Sequence, residues 1–151
     1  MVSIPKSEQR TRAKRTDLLR EHLNKRILVM DGAMGTMIQR HSLNEDDFRG
    51  DLFPGHTSPL IGANDILSLT QPSLIKEIHQ EYLSAGADLI ETNTFNANRI
   101  SLADYNLQGK ARELNRGAAR LARAAVIDAE QGDPGHPKWV IGALGLSLIH
   151  I

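Results

Sequence analysis

Residues 72 to 92, PSLIKEIHQEYLSAGADLIET, narrow the choice of fold more than any other stretch. Pro72 suits a first helical turn, where its missing N–H would have no partner anyway. Ile75, Ile78 and Tyr82 follow at helical spacing, and Leu74 and Leu83 widen the apolar stripe. Gly86 stands where a helix-ending glycine belongs. ADLIET, residues 87 to 92, then reads as a strand. A helix that hands over to an apolar strand within a few residues is one half of a repeating βα unit.

The same alternation extends both ways. ILVM (27 to 30) has the unbroken apolar character of a strand buried on both faces. GTMIQRHSL (35 to 43) reads as helix. Residues 110 to 132 form a long amphipathic helix with Leu114, Ala118, Leu121, Ala125 and Ala129 on one face, ended by Gly132 and Pro134. KWVIGALG (138 to 145) is the next strand. Between these, TDLLREHLNKR (16 to 26) reads as a short helix capped by Thr16, and 98 to 106 as another. Residues 44 to 64, rich in Asp, Gly, Pro and Asn, read as an irregular loop. Strand, helix, strand, helix, strand predicts an α/β fold with a parallel sheet. About three strands can be counted in 151 residues. An eight-stranded βα barrel takes about 250 residues, so length alone favours a small open sheet unless the chain is a piece of something larger.

Charge and composition exclude other classes. Lys plus Arg and Asp plus Glu number 18 each, leaving no net charge to attract nucleic acid or an anionic membrane. The sequence contains no cysteine, so it offers neither a disulfide framework nor a thiolate metal site. With no signal peptide or membrane span in view, a cytoplasmic setting is expected. Residues 1 to 19 are basic, with Lys6, Arg10, Arg12, Lys14 and Arg15, but Glu8 and Asp17 interrupt the run and residues 5 to 15 carry no apolar face. They are expected to form a solvated, frayed tail.

In parallel βα folds, ligands bind at the C-terminal ends of strands. Three segments lie there: Asp31-Gly32-Ala33-Met34-Gly35, Glu91-Thr92-Asn93-Thr94-Phe95-Asn96, and Gly142-Ala143-Leu144-Gly145. An aspartate followed by glycine suits an amino-acid ligand. The carboxylate of Asp31 can accept from an ammonium, and the N–H groups of Gly32 and Ala33 can hold a carboxylate. Asp31 could equally cap the helix that follows it. In ETNTFNAN, polar groups are dense enough to need partners, supplied either by a ligand or by the turn's own backbone. The six histidines are scattered without metal-ligand spacing, and His79 reads as a surface or helix-face residue. Met30, Met34 and Met37 read as packing, and Trp139 as a core or strand-end anchor.

The stretches ILVMDGAMGTMIQRHSLNEDDFRG and NDILSLTQPSLIKEIHQEYLSAGADLIETNTFNAN, with the later ADY, resemble one family over roughly residues 20 to 145. They are similar to the N-terminal homocysteine-binding domain of cobalamin-dependent methionine synthases, within the wider homocysteine S-methyltransferases. The resemblance implies a (β/α)8 barrel, of which residues 20 to 145 would be an incomplete N-terminal part of about three βα units. It implies a homocysteine site with Asp31 facing the substrate ammonium and the Gly32 and Ala33 amides its carboxylate. Glu91 to Phe95 would form the rim, with Asn93 and Thr94 pointing inward beside Glu91. It implies methyl transfer to sulfur, with zinc binding homocysteine as thiolate, since free thiols of this kind have pKa about 8.5. The zinc would be held by cysteines of late strands. The donor would be methylcobalamin, recharged from 5-methyltetrahydrofolate on separate folate and cobalamin domains.

The sequence departs from that pattern in two ways. It has no cysteine for zinc, and after Gly145 the family's Pro-Thr-Asn is replaced by LSLIHI. Residues 146 to 151 are therefore expected to be a non-family tail, and the 151-residue chain is expected to be inactive by itself, marginally stable and prone to aggregate at open sheet edges. Two other readings remain: a homocysteine S-methyltransferase that does without cobalamin, and a non-enzymatic βα binding module. A nucleic-acid-binding role is disfavoured by zero net charge and the lack of aromatic residues among the basic ones.

Overall fold

The structure, a computed structural model, describes residues 6–145, with side chains from Thr11 onward. The tail expected at 146 to 151 lies outside the described residues. Six α-helices are described: α1 Lys6–Lys25, α2 Met34–Gln39, α3 Glu45–Arg49, α4 Leu67–Thr70, α5 Pro72–Ser84 and α6 Ala111–Gly132. Short 3-10 turns link them. Two strands, β1 Leu89–Glu91 and β2 Trp139–Ile141, pair in parallel with Leu89 opposite Trp139. The architecture is α/β, mostly helical, with a small parallel sheet.

Residues 29 to 31 run beside β1 as a third, looser member. The Asp31 N–H donates to the Leu89 carbonyl at 2.9 Å, and the Leu89 N–H donates to the Val29 carbonyl at 3.1 Å. Only Met30 forms a true bridge, to Leu89. The expectation of a strand at 27 to 30 buried on both faces needs correction. Ile27 is 88% exposed, Val29 55% and Met30 49%. This segment has β1 on one side, and among the described residues nothing covers its other edge.

Helices α5 and α6 cover the sheet. Their apolar stripes supply the cores: Ile75, Ile78 and Leu114 pack with Met37, Phe48 and Leu67, while Ala122, Ala125 and Val126 pack with Leu83 and Ile90. Each buried Leu or Ile side chain contributes about 1.5–3 kcal/mol. Gly86, at φ +105°, makes the left-handed turn that takes α5 into β1. At the start of β1, the Asp88 carboxylate accepts from both terminal nitrogens of Arg26 at 2.7 Å each and from the Val29 N–H at 2.9 Å. Arg26, and to a lesser degree the Val29 N–H and the nearby Lys138, hold its pKa down at about 2.

Three further expectations are corrected. The residues read as a frayed tail are helical from Lys6. Docking explains this: Arg15 pairs with Glu130 at 2.6 Å, and the Trp139 indole N–H donates to the Arg15 carbonyl at 3.3 Å. His22 meets the Trp139 ring edge-on at 5.4 Å. The 44 to 64 loop contains α3, because Asn44 and Asp47 form a reciprocal capping box. Glu45 then ties the far end of the loop down by accepting from the N–H groups of Leu60 and Ile61. His79 is fully buried, and neither ring nitrogen has a partner. It stands four residues after Ile75 and four before Leu83, on the buried stripe itself.

Candidate functional site

The C-terminal ends of the three parallel segments enclose a pocket of about 340 Å³. Its lining brings together all six residues singled out from the sequence: Asp31, Gly32, Ala33, Glu91, Asn93 and Thr94. Met30, Met34, Gly35, Thr92, Phe95 and Ala143 complete it. No Lys, Arg or His lines this pocket.

Asp31 sits at the turn where the first segment leaves the sheet. It does not cap α2, whose N-terminus has no side-chain cap. Both carboxylate oxygens instead accept from the Glu91 N–H, at 3.0 and 3.1 Å. Burial pushes the Asp31 pKa up to about 6, the N–H bond from Glu91 opposes the rise, and the Glu91 carboxylate adds to it. Glu91 itself is exposed. The N–H groups of Gly32 and Ala33 donate to no acceptor among the described residues. The pocket lining thus includes two neighbouring carboxylates and two backbone N–H groups that have no protein acceptor among the described residues.

The polar side chains of the β1 rim are engaged with protein. The Asn93 amide donates to the Asn64 carbonyl at 2.8 Å and to the Ser68 hydroxyl at 3.2 Å. The Thr94 hydroxyl donates to the Ala143 carbonyl at 2.9 Å and lies 2.7 Å from the Thr92 hydroxyl, which accepts from the Ala143 N–H. These bonds join the β1 rim to the β2 rim. Asp65, buried and with its pKa raised by that burial, accepts from the Asn96 N–H at 2.9 Å. Gly145 is required for the same closure, since a Cβ there would overlap the Phe95 carbonyl oxygen. Sequence reading passed over Asn64, Asp65 and Ser68 as positioning groups. The signal for them was three polar residues, in NDILS, on an otherwise apolar turn.

A larger cleft, about 810 Å³, lies at the opposite end of the sheet. Its carboxylates already have partners: Asp88 pairs with Arg26 and Asp128 with Lys76 at 2.6 Å, and Asp133 is hydrogen-bonded to the His136 ring at 2.6 Å. The smaller pocket holds the unmatched carboxylates, and chemistry follows unmatched charge more than volume.

A parallel βα assembly with its polar pocket at the strand ends defines a class of ligand-binding α/β proteins. The sequence model of that class described as "Homocysteine S-methyltransferase" matches residues 28–148, and the chain belongs to this family. Solved structures agree. The homocysteine methyltransferase MmuM from Escherichia coli in its metallated form superposes with a TM-score of 0.65 at 25% identity, covering 84% of this chain and 41% of that one. Its oxidized form gives 0.66 at 27% identity, with 84% and 40% covered. The chain therefore spans about two fifths of the length of these enzymes.

Zinc, expected from the resemblance, does not fit the residues present. The chain has no cysteine, and among the described residues no three His, Asp or Glu side chains come together to hold a metal. Among the described residues no helix is long and apolar enough to cross a membrane.

Proposed function

We propose that residues 27–145 form the amino-acid-binding part of a homocysteine S-methyltransferase and hold homocysteine in the 340 Å³ pocket. The observation that carries this is the pairing of an anionic corner, Asp31 with Glu91, and the free N–H groups of Gly32 and Ala33 within one small pocket free of cationic side chains. The corner suits an ammonium and the two N–H groups suit a carboxylate. An α-amino acid carries both. A bound ammonium would also return Asp31 to its ionised form, because an adjacent cation favours the carboxylate.

In this reading the chain orients the amino-acid portion of homocysteine, and the Thr92–Thr94–Ala143 bonds fix the rim against which it sits. Activation of the thiol belongs to groups outside residues 27–145, which hold no donor set for zinc. The segments would be the first βα units of a (β/α)8 barrel, whose remaining strands would cover Ile27, Val29 and Met30. The branch is proposed to be the cobalamin-dependent methionine synthases, from Met-Gly-Thr-Met and Asn-Asp-Ile-Leu. The methyl donor would be methylcobalamin, recharged from 5-methyltetrahydrofolate on partner domains of a longer chain.

Calorimetric titration with L-homocysteine tests the binding. Saturable heat that disappears in Asp31→Asn supports it. Equal heat from a thiol lacking the amino and carboxylate groups, such as propanethiol, counts against it. A second reading, a cobalamin-independent homocysteine methyltransferase, is favoured by the similarity to MmuM. Reading the encoding DNA beyond the Gly145 codon separates the two, because only the first continues into folate and cobalamin modules.

A further inference from the structure

The chain's zero net charge conceals a segregated surface. Helix α6 carries Arg112, Arg116, Arg120 and Arg123. At about 100° per residue these four lie within an arc of about 80°, along a rise of about 16 Å. Arg112, Arg116 and Arg120 are exposed and make no hydrogen bond or ion pair with any described residue. Glu113, the one acid among them, is already held by Lys110 at 2.8 Å. The three arginines edge a groove of about 640 Å³ whose floor is Leu69, Gly109 and Gly117. At Gly117 the helix backbone lies close to Leu69, since an added Cβ would come within 2.7 Å of the Leu69 Cδ2 methyl, which would have to turn aside.

From this stripe and groove we propose that the outer face of α6 docks an acidic amphipathic helix of a partner protein. Three unpaired guanidinium groups four residues apart repeat every ~6 Å, the rise between carboxylates at positions i, i+4 and i+8 of another helix. Each guanidinium can take a carboxylate through two hydrogen bonds. The Leu69 and glycine floor receives the partner's apolar residues between its acids. Nucleic acid suits the groove less well, because no aromatic side chain lines it for base stacking. The surface is separate from the pocket at the strand ends and shares no residue with it.

The probe is a fluorescein-labelled, alanine-rich helical peptide with Glu at i, i+4 and i+8 and leucines between, titrated with the 151-residue chain and read by anisotropy. Saturable binding that weakens with salt is expected, together with a loss of about tenfold or more in R112E/R116E/R120E. Homocysteine heat in the same variant should be unchanged. Should charge reversal disturb the far-UV circular dichroism, R112A/R116A/R120A gives the same readout with a good helix former at each position. Three results overturn the proposal: undiminished binding by the folded triple variant, equal binding of a scrambled peptide of the same composition, or tighter binding of a single-stranded RNA of matched charge.

Discussion

Asp88 and Asp31 stand at opposite ends of the same strand pair and are treated oppositely. Asp88 is buried, gripped by Arg26 and the Val29 N–H, and held at a pKa of about 2. Asp31 is half-buried, faces Glu91, has no cation beside it, and is pushed up to about 6. The first arrangement stabilises the fold at neutral pH. The second destabilises it, because an ionised carboxylate is held where water is scarce and a like charge is near. A βα fold that is matched at the N-terminal ends of its strands and unmatched at the C-terminal ends separates holding from binding.

The largest effect should come from breaking the matched end. Asp88→Ala leaves the exposed Arg26 guanidinium and the Val29 N–H without their acceptor and should cost about 3 kcal/mol, the upper end for hydrogen bonds to a charged group, read as a lowered urea midpoint. An unchanged midpoint in this variant would remove the claim that this end secures the fold. Acid should separately expose Asp88: its contribution is complete above pH 3.8 and declines only as pH falls toward about 2.

His79 sets the next effect and must be removed to see the aspartates cleanly. Burial lowers its pKa from 6.5 to about 4, so it stays neutral when folded and protonates more readily when unfolded. Stability is therefore whole above pH 6.5 and should fall by about 3 kcal/mol as pH drops to about 4. His79→Leu, which fills similar space without an unpaired nitrogen, should flatten that decline. Denaturation midpoints measured across this pH range decide the matter, and an unchanged slope in the variant would be contrary to expectation.

The unmatched end should respond with the reverse sign. The Asp31 pKa is raised in the fold, so its cost is absent below pH 3.8 and grows as pH rises through about 6. Asp31→Asn should raise stability at pH 7 by about 1 kcal/mol, after allowance for partial solvent screening. The same change should weaken homocysteine binding about 10–100-fold, the worth of a hydrogen bond to a charged group. Stability gained together with binding lost is the signature sought. Stability lost would make Asp31 a structural residue like Asp88. The smallest effect belongs to Thr94→Val, which leaves the Thr92 hydroxyl and the Ala143 carbonyl short of a partner and should cost about 1 kcal/mol, read as a shift in the urea midpoint.

Periodicity made α5 and α6 legible to within a residue or two, because each buries a continuous apolar stripe. It showed only the 16 to 26 part of α1; that the helix begins at Lys6, and not at a Thr16 cap, depends on Arg15 and His22 meeting groups more than a hundred residues away. The Asp, Asn and Gly content of residues 44 to 64 suggested a loop, yet Asn44 and Asp47 use that same chemistry to start α3. His79 was read from its polarity when its position between Ile75 and Leu83 was the better guide. At the site, Asp31 and Glu91 could be placed on neighbouring strand ends from sequence. That Asn93 and Thr94 bond to Asn64, Ser68 and Ala143 depends on how three chain segments meet, and no local pattern carries that information.

The docking of α1 also has a temporal side. The Arg15 carbonyl receives its hydrogen bond from Trp139, across 124 positions of sequence. A chain made from its N-terminus must hold α1 in waiting until nearly all of the described residues have been added. Contacts of such separation close late and favour slow folding. During that interval the first-made helix has no surface to rest on, and a nascent chain halted before Trp139 would offer its emerging strands to whatever chaperone or neighbouring chain reaches them first.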